Sequence, residues 1–317
     1  MRRVSFKTLL CTLLLTGMLL CQVSLAAMAN EMSKAPVLKV DREDILQLPR
    51  NFRTSADPFK VTTKEAKLPS REGLADSHIS GSSIFSELEL TQLLAKIPSK
   101  KVIVVDLRQE SHGYLDGMAV SWFADNNWGN DGKTLEQVIP IERALLQEAL
   151  AKSPVSIHKY NDSTDKLGEP FQLTVNSVRT EEEVVREHGA GYYRLALADH
   201  FRPDDAEVDK FLQFYKQLPK DTWLHFHCYA GMGRTTIFMA MADILKNAKK
   251  VSFDDIMKRQ ALIGIVDLRE VPPTKKNWKR KAYIERSQFI KHFYDYVRQS
   301  PDNLPMSWSE WAKKHDY

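Results

Sequence analysis

The stretch Thr222–Thr236, TWLHFHCYAGMGRTT, constrains this chain more than any other. An apolar and aromatic run reaches His227 and Cys228, crosses Gly231 and Gly233, and meets Arg234 just before a second apolar run. That order reads as a strand, a tight loop of anion size and the start of a helix. Successive loop amides and the helix N-terminus converge on one anion, while the Arg234 guanidinium can hold two of its oxygens. A thiol at the mouth of such a loop is a nucleophile that acts as its thiolate.

Cysteine usage strengthens the reading. Arg2, Arg3 and Lys7 precede the apolar run Leu9–Leu20, and Ala27–Ala29 offers a small-x-small cleavage site, so residues 1–29 read as a secretory signal cut after Ala29 or Ala26. A retained anchor is the alternative. Removing the leader takes Cys11 and Cys21 with it and leaves Cys228 as the one cysteine of the expected mature chain. An internal disulfide and a cysteine-based zinc cluster are thereby excluded. The formal net charge of +4 falls to about +1, which argues against a nucleic-acid partner. With 43% hydrophobic and 27% charged residues the chain is globular, and no membrane-spanning run follows the leader. The expected location is periplasmic or secreted, with no stable membrane anchor after cleavage and the oligomeric state left open.

Around the loop, the pattern is that of an α/β protein. Lys101–Leu107, KVIVVDL, reads as a buried central strand whose end carries Asp106, Arg108, Glu110, Ser111 and His112, either a ligand crevice or an ionic network that fixes the loop. Tyr192–Ala198 is a further strand and delivers Asp199, His200 and Arg202. Capping boxes at Ser86/Glu89, Thr180/Glu183 and Ser307/Glu310 start helices, as do Asp204 and Ser252. Thr134 and Gln137 could cap another, but Pro140 suggests that it begins or is redirected there. Gly113–Lys133 reads as a long structured loop, and the alternation in 153–160 and 169–178 as a small antiparallel excursion. Thr235–Ala248 and Trp278–Arg298 complete the helices, the first apolar on most sides.

Cys228 followed by five residues and Arg234, with a strand before and Thr235 after, supplies the parts for phosphate monoester transfer. The thiolate attacks phosphorus, loop amides and Arg234 balance the equatorial charge, and Thr235 donates to the sulfur. His227 orients the loop in this scheme and is not the base. Asp199 is the candidate general acid for the leaving alkoxide, against the plainer reading of a turn aspartate.

HCYAGMGRTT matches the cysteine-phosphatase signature HCxxGxxR[ST], and its longer form resembles the bacterial protein-tyrosine-phosphatase-like inositol phosphatases, or cysteine phytases. LPRNFRTS at 48–55, SGSSIFSELEL at 80–90, VVDLRQESHGYLDG at 104–117, ADHFRP at 198–203 and KNWKRKAYIER at 276–286 are similar to family landmarks. The resemblance implies a phosphatase domain over 30–317, with a central mostly parallel sheet flanked by helices. It further implies a small partial β-barrel formed from about 38–70 and 153–178. By the same resemblance, Cys228 is the nucleophile, Arg234 the clamp, and Asp199 the acid with His200 beside it. Tyr229, Ala230, Gly231, Met232 and Gly233 form the loop around the scissile phosphate. Arg53, Lys279 and Arg286, plain surface charges when taken locally, become contacts to further phosphates of a small polyanionic substrate, myo-inositol hexakisphosphate and its lower homologues. No cofactor or metal is implied. Tyr229 departs from the polar residue that several members carry after the cysteine. A phosphotyrosine phosphatase and a non-catalytic phosphate-binding module are the competing readings.

Overall fold

The computed structural model describes residues 36–61, 67–161, 164 and 166–317. The expected leader at 1–29 lies outside the described residues. In chain order the strands are β1 (Val37–Arg42), β2 (Arg53–Thr54), β3 (Ile79–Ser83), β4 (Val102–Asp106), β5 (His112–Leu115), β6 (Met118–Phe123), β7 (Val155–Asn161), β8 (Lys166–Leu167), β9 (Phe171–Leu173), β10 (Val178–Arg179), β11 (Gly191–Arg194) and β12 (Trp223–Cys228). The helices are α1 (Glu87–Lys96), α2 (Leu135–Ala151), α3 (Glu181–Glu187), α4 (Asp205–Lys216), α5 (Gly233–Asn247), α6 (Phe253–Ile263), α7 (Asn277–Gln299) and α8 (Trp308–Lys314).

Two sheets carry the fold. The first runs β11-β4-β12-β3-β2, parallel except at its β2 edge. Its apolar strands need cover on both faces, as the continuous hydrophobicity of KVIVVDL requires. Helix α5 supplies much of that cover: Ile237–Ala242 are all buried, and the helix packs on β12, β3, α6 and α7. Such burial gives the loop between β12 and α5 a rigid seat. Parallel register brings Asp106 beside both Arg194 and His227, so the polar ends of three strands meet at one edge.

The second sheet, β10-β5-β6-β1-β7-β8 with β9 beside β7, is antiparallel except where β1 meets β7, and its pairing path does not close into a barrel among the described residues. Its membership differs from the sequence expectation. The β2 segment belongs to the parallel sheet, while the stretch read as a long loop contributes the β5–β6 hairpin at the sheet's centre. Asp116 and Gly117, at φ +48° and +86°, form its turn, the Asp-Gly chemistry that favours a two-residue hairpin. Pro140 likewise does not start a helix. It lies inside α2, on the exposed side, where water can satisfy the backbone carbonyl deprived of a donor.

Candidate active site

Cys228 ends β12 and is buried; Thr235 Oγ1 donates to its Sγ at 3.2 Å. The loop then turns on Gly231, at φ +72°. A Cβ there would come within 2.3 Å of the Ser83 nitrogen, so glycine lets the loop press against β3.

Arg53 supports that turn from behind, which corrects its expected part in substrate contact. Its Nη1 donates to the Gly231 and Asn51 carbonyls, both at 2.9 Å, and its Nη2 to Thr236 Oγ1 at 3.0 Å. The side chain is 1% exposed and does not border the cavity, and burial pushes its guanidinium down to about 10. Asn51 Nδ2 holds the Ala230 carbonyl at 2.8 Å. The LPRNFRTS landmark is thus a brace for the loop.

Arg234 is buried and fixed by a carboxylate. Glu110 accepts from Nη1 at 2.8 Å and from Nη2 at 3.0 Å, and the Leu107 and Leu197 carbonyls accept from Nη1 as well. Burial alone would raise the Glu110 carboxyl, but Arg234 and Arg108 outweigh it and hold it well below the usual range. Arg234 Nε finds no acceptor among the described residues. A guanidinium pinned by its terminal nitrogens, with Nε unused, suits an oxyanion placed over the loop.

Asp199 lies 3.1 Å from Arg234 Nη2. Its Oδ1 accepts from the His200 amide at 2.8 Å and its Oδ2 from Asn127 Nδ2 at 2.8 Å. The acid candidate therefore stands at the clamp itself, and both residues border the cavity with Cys228.

His227 does not border the cavity. Its Nε2 lies 2.6 Å from Glu181 Oε1 at the start of α3, on the side of the loop away from the cavity. Close by, His112 Nε2 lies 3.1 Å from Asp106 and 3.3 Å from Glu181. By proximity Asp106, His112 and Glu181 could hold a metal ion. A proton serves the same carboxylates: burial and the Arg108 and Arg194 guanidiniums oppose the imidazolium, yet Asp106 and Glu142 outweigh them and push it up to about 10.

The cavity, about 880 Å³, opens over the loop and is walled by both sheets and by α7. Tyr229, Ala230, Met232 and Gly233 border it, as do His200, Lys279 and Arg286, while Gly231 faces β3 instead. On α7 and its cap, Lys276, Lys279, Tyr283 and Arg286 form one stripe at 3-4-3 spacing. Arg286 is buried over the Tyr283 ring at 4.8 Å, and its Nε and Nη2 have no acceptor among the described residues. Burial pushes this guanidinium below its ordinary value. Lys276 and Tyr283 were missed by the sequence reading, although the helical spacing could have found them.

Lys39, Phe123 and Tyr160 of the second sheet close the other side. Lys39 pairs with Asp41 and lies 3.9 Å from the centroid of the Tyr229 ring, which Tyr160 meets edge-on at 6.5 Å. Tyr229 therefore covers a buried ammonium and joins the loop rim to the second sheet, a cation–π role that a polar residue would replace with direct pairing.

Comparison with known proteins decides the family. A family model for PTP-like phytases, described by inositol hexakisphosphate, matches residues 105–246. A PTP-like phytase of Bdellovibrio bacteriovorus is 34% identical, with 88% of this chain and 95% of that one covered at a TM-score of 0.70. This chain belongs to the PTP-like phytase family. A PTP-like myo-inositol phosphatase of Mitsuokella multacida, solved in complex with myo-inositol-(1,3,4,5)-tetrakisphosphate, is 56% identical with a TM-score of 0.86, covering 89% of this chain and 48% of that one. The effector protein hopD2 of Pseudomonas syringae pv. tomato is 30% identical across 81% of this chain and 56% of its own length. Within the PTP-like phytase family, then, this chain spans about half the length of the Mitsuokella protein.

Proposed function

We propose that the chain hydrolyses phosphate monoesters of myo-inositol hexakisphosphate and lower inositol polyphosphates through a phosphocysteine intermediate. The observation that carries this reading is that two buried arginines whose donors lack acceptors among the described residues, Arg234 and Arg286, border one cavity together with Cys228. One phosphate would satisfy Arg234 at the loop. A second phosphate on the same ring would satisfy Arg286, with Lys276 and Lys279 along the same stripe.

In the first step a phosphate oxygen takes Nε of Arg234 and competes with Asp199 for Nη2. Cys228 Sγ forms a bond to phosphorus as the ester oxygen leaves with the proton of Asp199. Water then attacks the phosphocysteine, Asp199 accepts its proton, and inorganic phosphate departs with the thiolate restored. Thr235 steadies the sulfur as nucleophile and leaving group. The leader composition supports export, so we propose a periplasmic or secreted location as well. Acid-quenched turnover should place phosphate on the peptide that contains Cys228, and Cys228→Ser should abolish that adduct. Unchanged turnover in Cys228→Ser would refute the covalent route.

A further inference from the structure

Asp199 is held from outside its own loop. The segment after β6 approaches it with two donors, Asn127 Nδ2 to the carboxylate at 2.8 Å and Trp128 Nε1 to the backbone carbonyl at 3.1 Å. Asn126 and Asn127 have φ of +58° and +62°, and His200 has +74°, so both residues that donate to this carboxylate, and the neighbour of one, adopt left-handed backbone. That arrangement persists only where neighbouring contacts impose it. The Asn127 amide bonds the Ala124 carbonyl at 2.8 Å, and the Trp128 ring lies 4.9 Å from Trp278 and 5.4 Å from Phe201. Trp278 sits in the first turn of α7, so the segment is anchored between the acid loop and the basic stripe.

We infer that Asn127 is a positioning residue for the general acid. Each oxygen of Asp199 takes one donor that is independent of the clamp: His200 N–H on Oδ1 and Asn127 Nδ2–H on Oδ2. When a phosphate takes Arg234 away, these two bonds alone fix the plane of the carboxyl. Without Asn127 the carboxyl is held only by the His200 amide on Oδ1, so it can pivot about its χ2 and meets the leaving oxygen in the transfer geometry only part of the time. The step affected is the proton transfer from Asp199 to the departing oxygen as that oxygen's bond to phosphorus breaks. The inference rests on Asp199 being the leaving-group acid, but not on which phosphate ester is the natural substrate.

The test compares phenyl phosphate, a poor leaving group, with 4-nitrophenyl phosphate, a good one, in Asn127→Gly, Asp199→Asn and the double variant. Glycine accepts the positive φ at 127, so this variant deletes the amide while sparing the backbone. Asn127→Gly should lose about tenfold or more in kcat/KM on phenyl phosphate and less than about threefold on the nitrophenyl ester. The double variant should be no slower than Asp199→Asn alone, because both changes disable one proton transfer. Equal losses on both esters, or a loss that multiplies that of Asp199→Asn, would overturn the inference. If Asp199→Asn itself fails to discriminate the esters, the acid assignment falls and Asn127 with it. A wild-type enzyme that ignores inositol hexakisphosphate but shows the pattern above would overturn the substrate reading and leave Asn127 in place.

Discussion

Glu110 holds both terminal nitrogens of Arg234, at 2.8 and 3.0 Å, and so fixes the clamp before any anion arrives. Glu110→Gln keeps the shape but removes the charge and converts one acceptor into a donor facing a guanidinium. We expect kcat/KM to fall by about ten- to a hundredfold, the scale on which small misplacements of catalytic groups act. Steady-state kinetics check this, with a near-normal value counting against the grip.

Arg53 and Arg286 should part company, although the sequence suggests one role for both. Arg53→Ala strips the Gly231 carbonyl and Thr236 of their donor, so it should cost on the order of 2 to 4 kcal/mol of stability. Arg286→Ala removes a buried cation whose Nε and Nη2 lack acceptors among the described residues, and it should leave stability unchanged or improved. It should raise KM for inositol hexakisphosphate about tenfold, a loss of about 1.4 kcal/mol. Denaturant midpoints and KM values on the two variants decide the matter, and a stability loss in Arg286→Ala comparable to that of Arg53→Ala would contradict it.

The difference shows where the sequence stops being readable. Cys228, Arg234 and Thr235 are legible because the loop encodes its geometry within eight residues. Arg53 bonds a carbonyl 178 positions away, and local composition cannot say which face of a two-residue strand meets it. The α7 stripe is readable from helical spacing, which selects Lys279 and Arg286 and leaves Lys281 outside on Glu285. Asn127 carries no periodic signal, since its loop is irregular and its partner comes from a different strand end. The β5–β6 hairpin was legible at Asp116-Gly117 but was hidden by the aromatic and glycine-rich residues after it.

His112 should make stability fall in alkali. Its folded imidazolium is pushed up to about 10 by Asp106 and Glu142, against burial and the Arg108 and Arg194 guanidiniums, whereas an unfolded histidine titrates near ~6.5. The folded state thus keeps a proton that the unfolded state releases. The contribution is complete below about pH 6.5, declines as pH rises, and is gone above about 10. Urea midpoints between those values should fall with pH in the wild type and less steeply in His112→Gln. Parallel slopes would exclude His112 as the source.

Lys279→Ala should raise KM for inositol hexakisphosphate several-fold while leaving kcat on 4-nitrophenyl phosphate near normal, because the stripe meets phosphates that an aryl ester lacks. Equal effects on the two substrates would point to damage at the loop.

The most direct measurement is phosphate release from inositol hexakisphosphate set beside a phosphotyrosyl peptide, with the inositol products separated by chromatography. The account predicts faster turnover of the inositol ester and stepwise appearance of lower inositol phosphates, both lost in Cys228→Ser. Preferred turnover of the peptide, with inositol hexakisphosphate left intact, would contradict it.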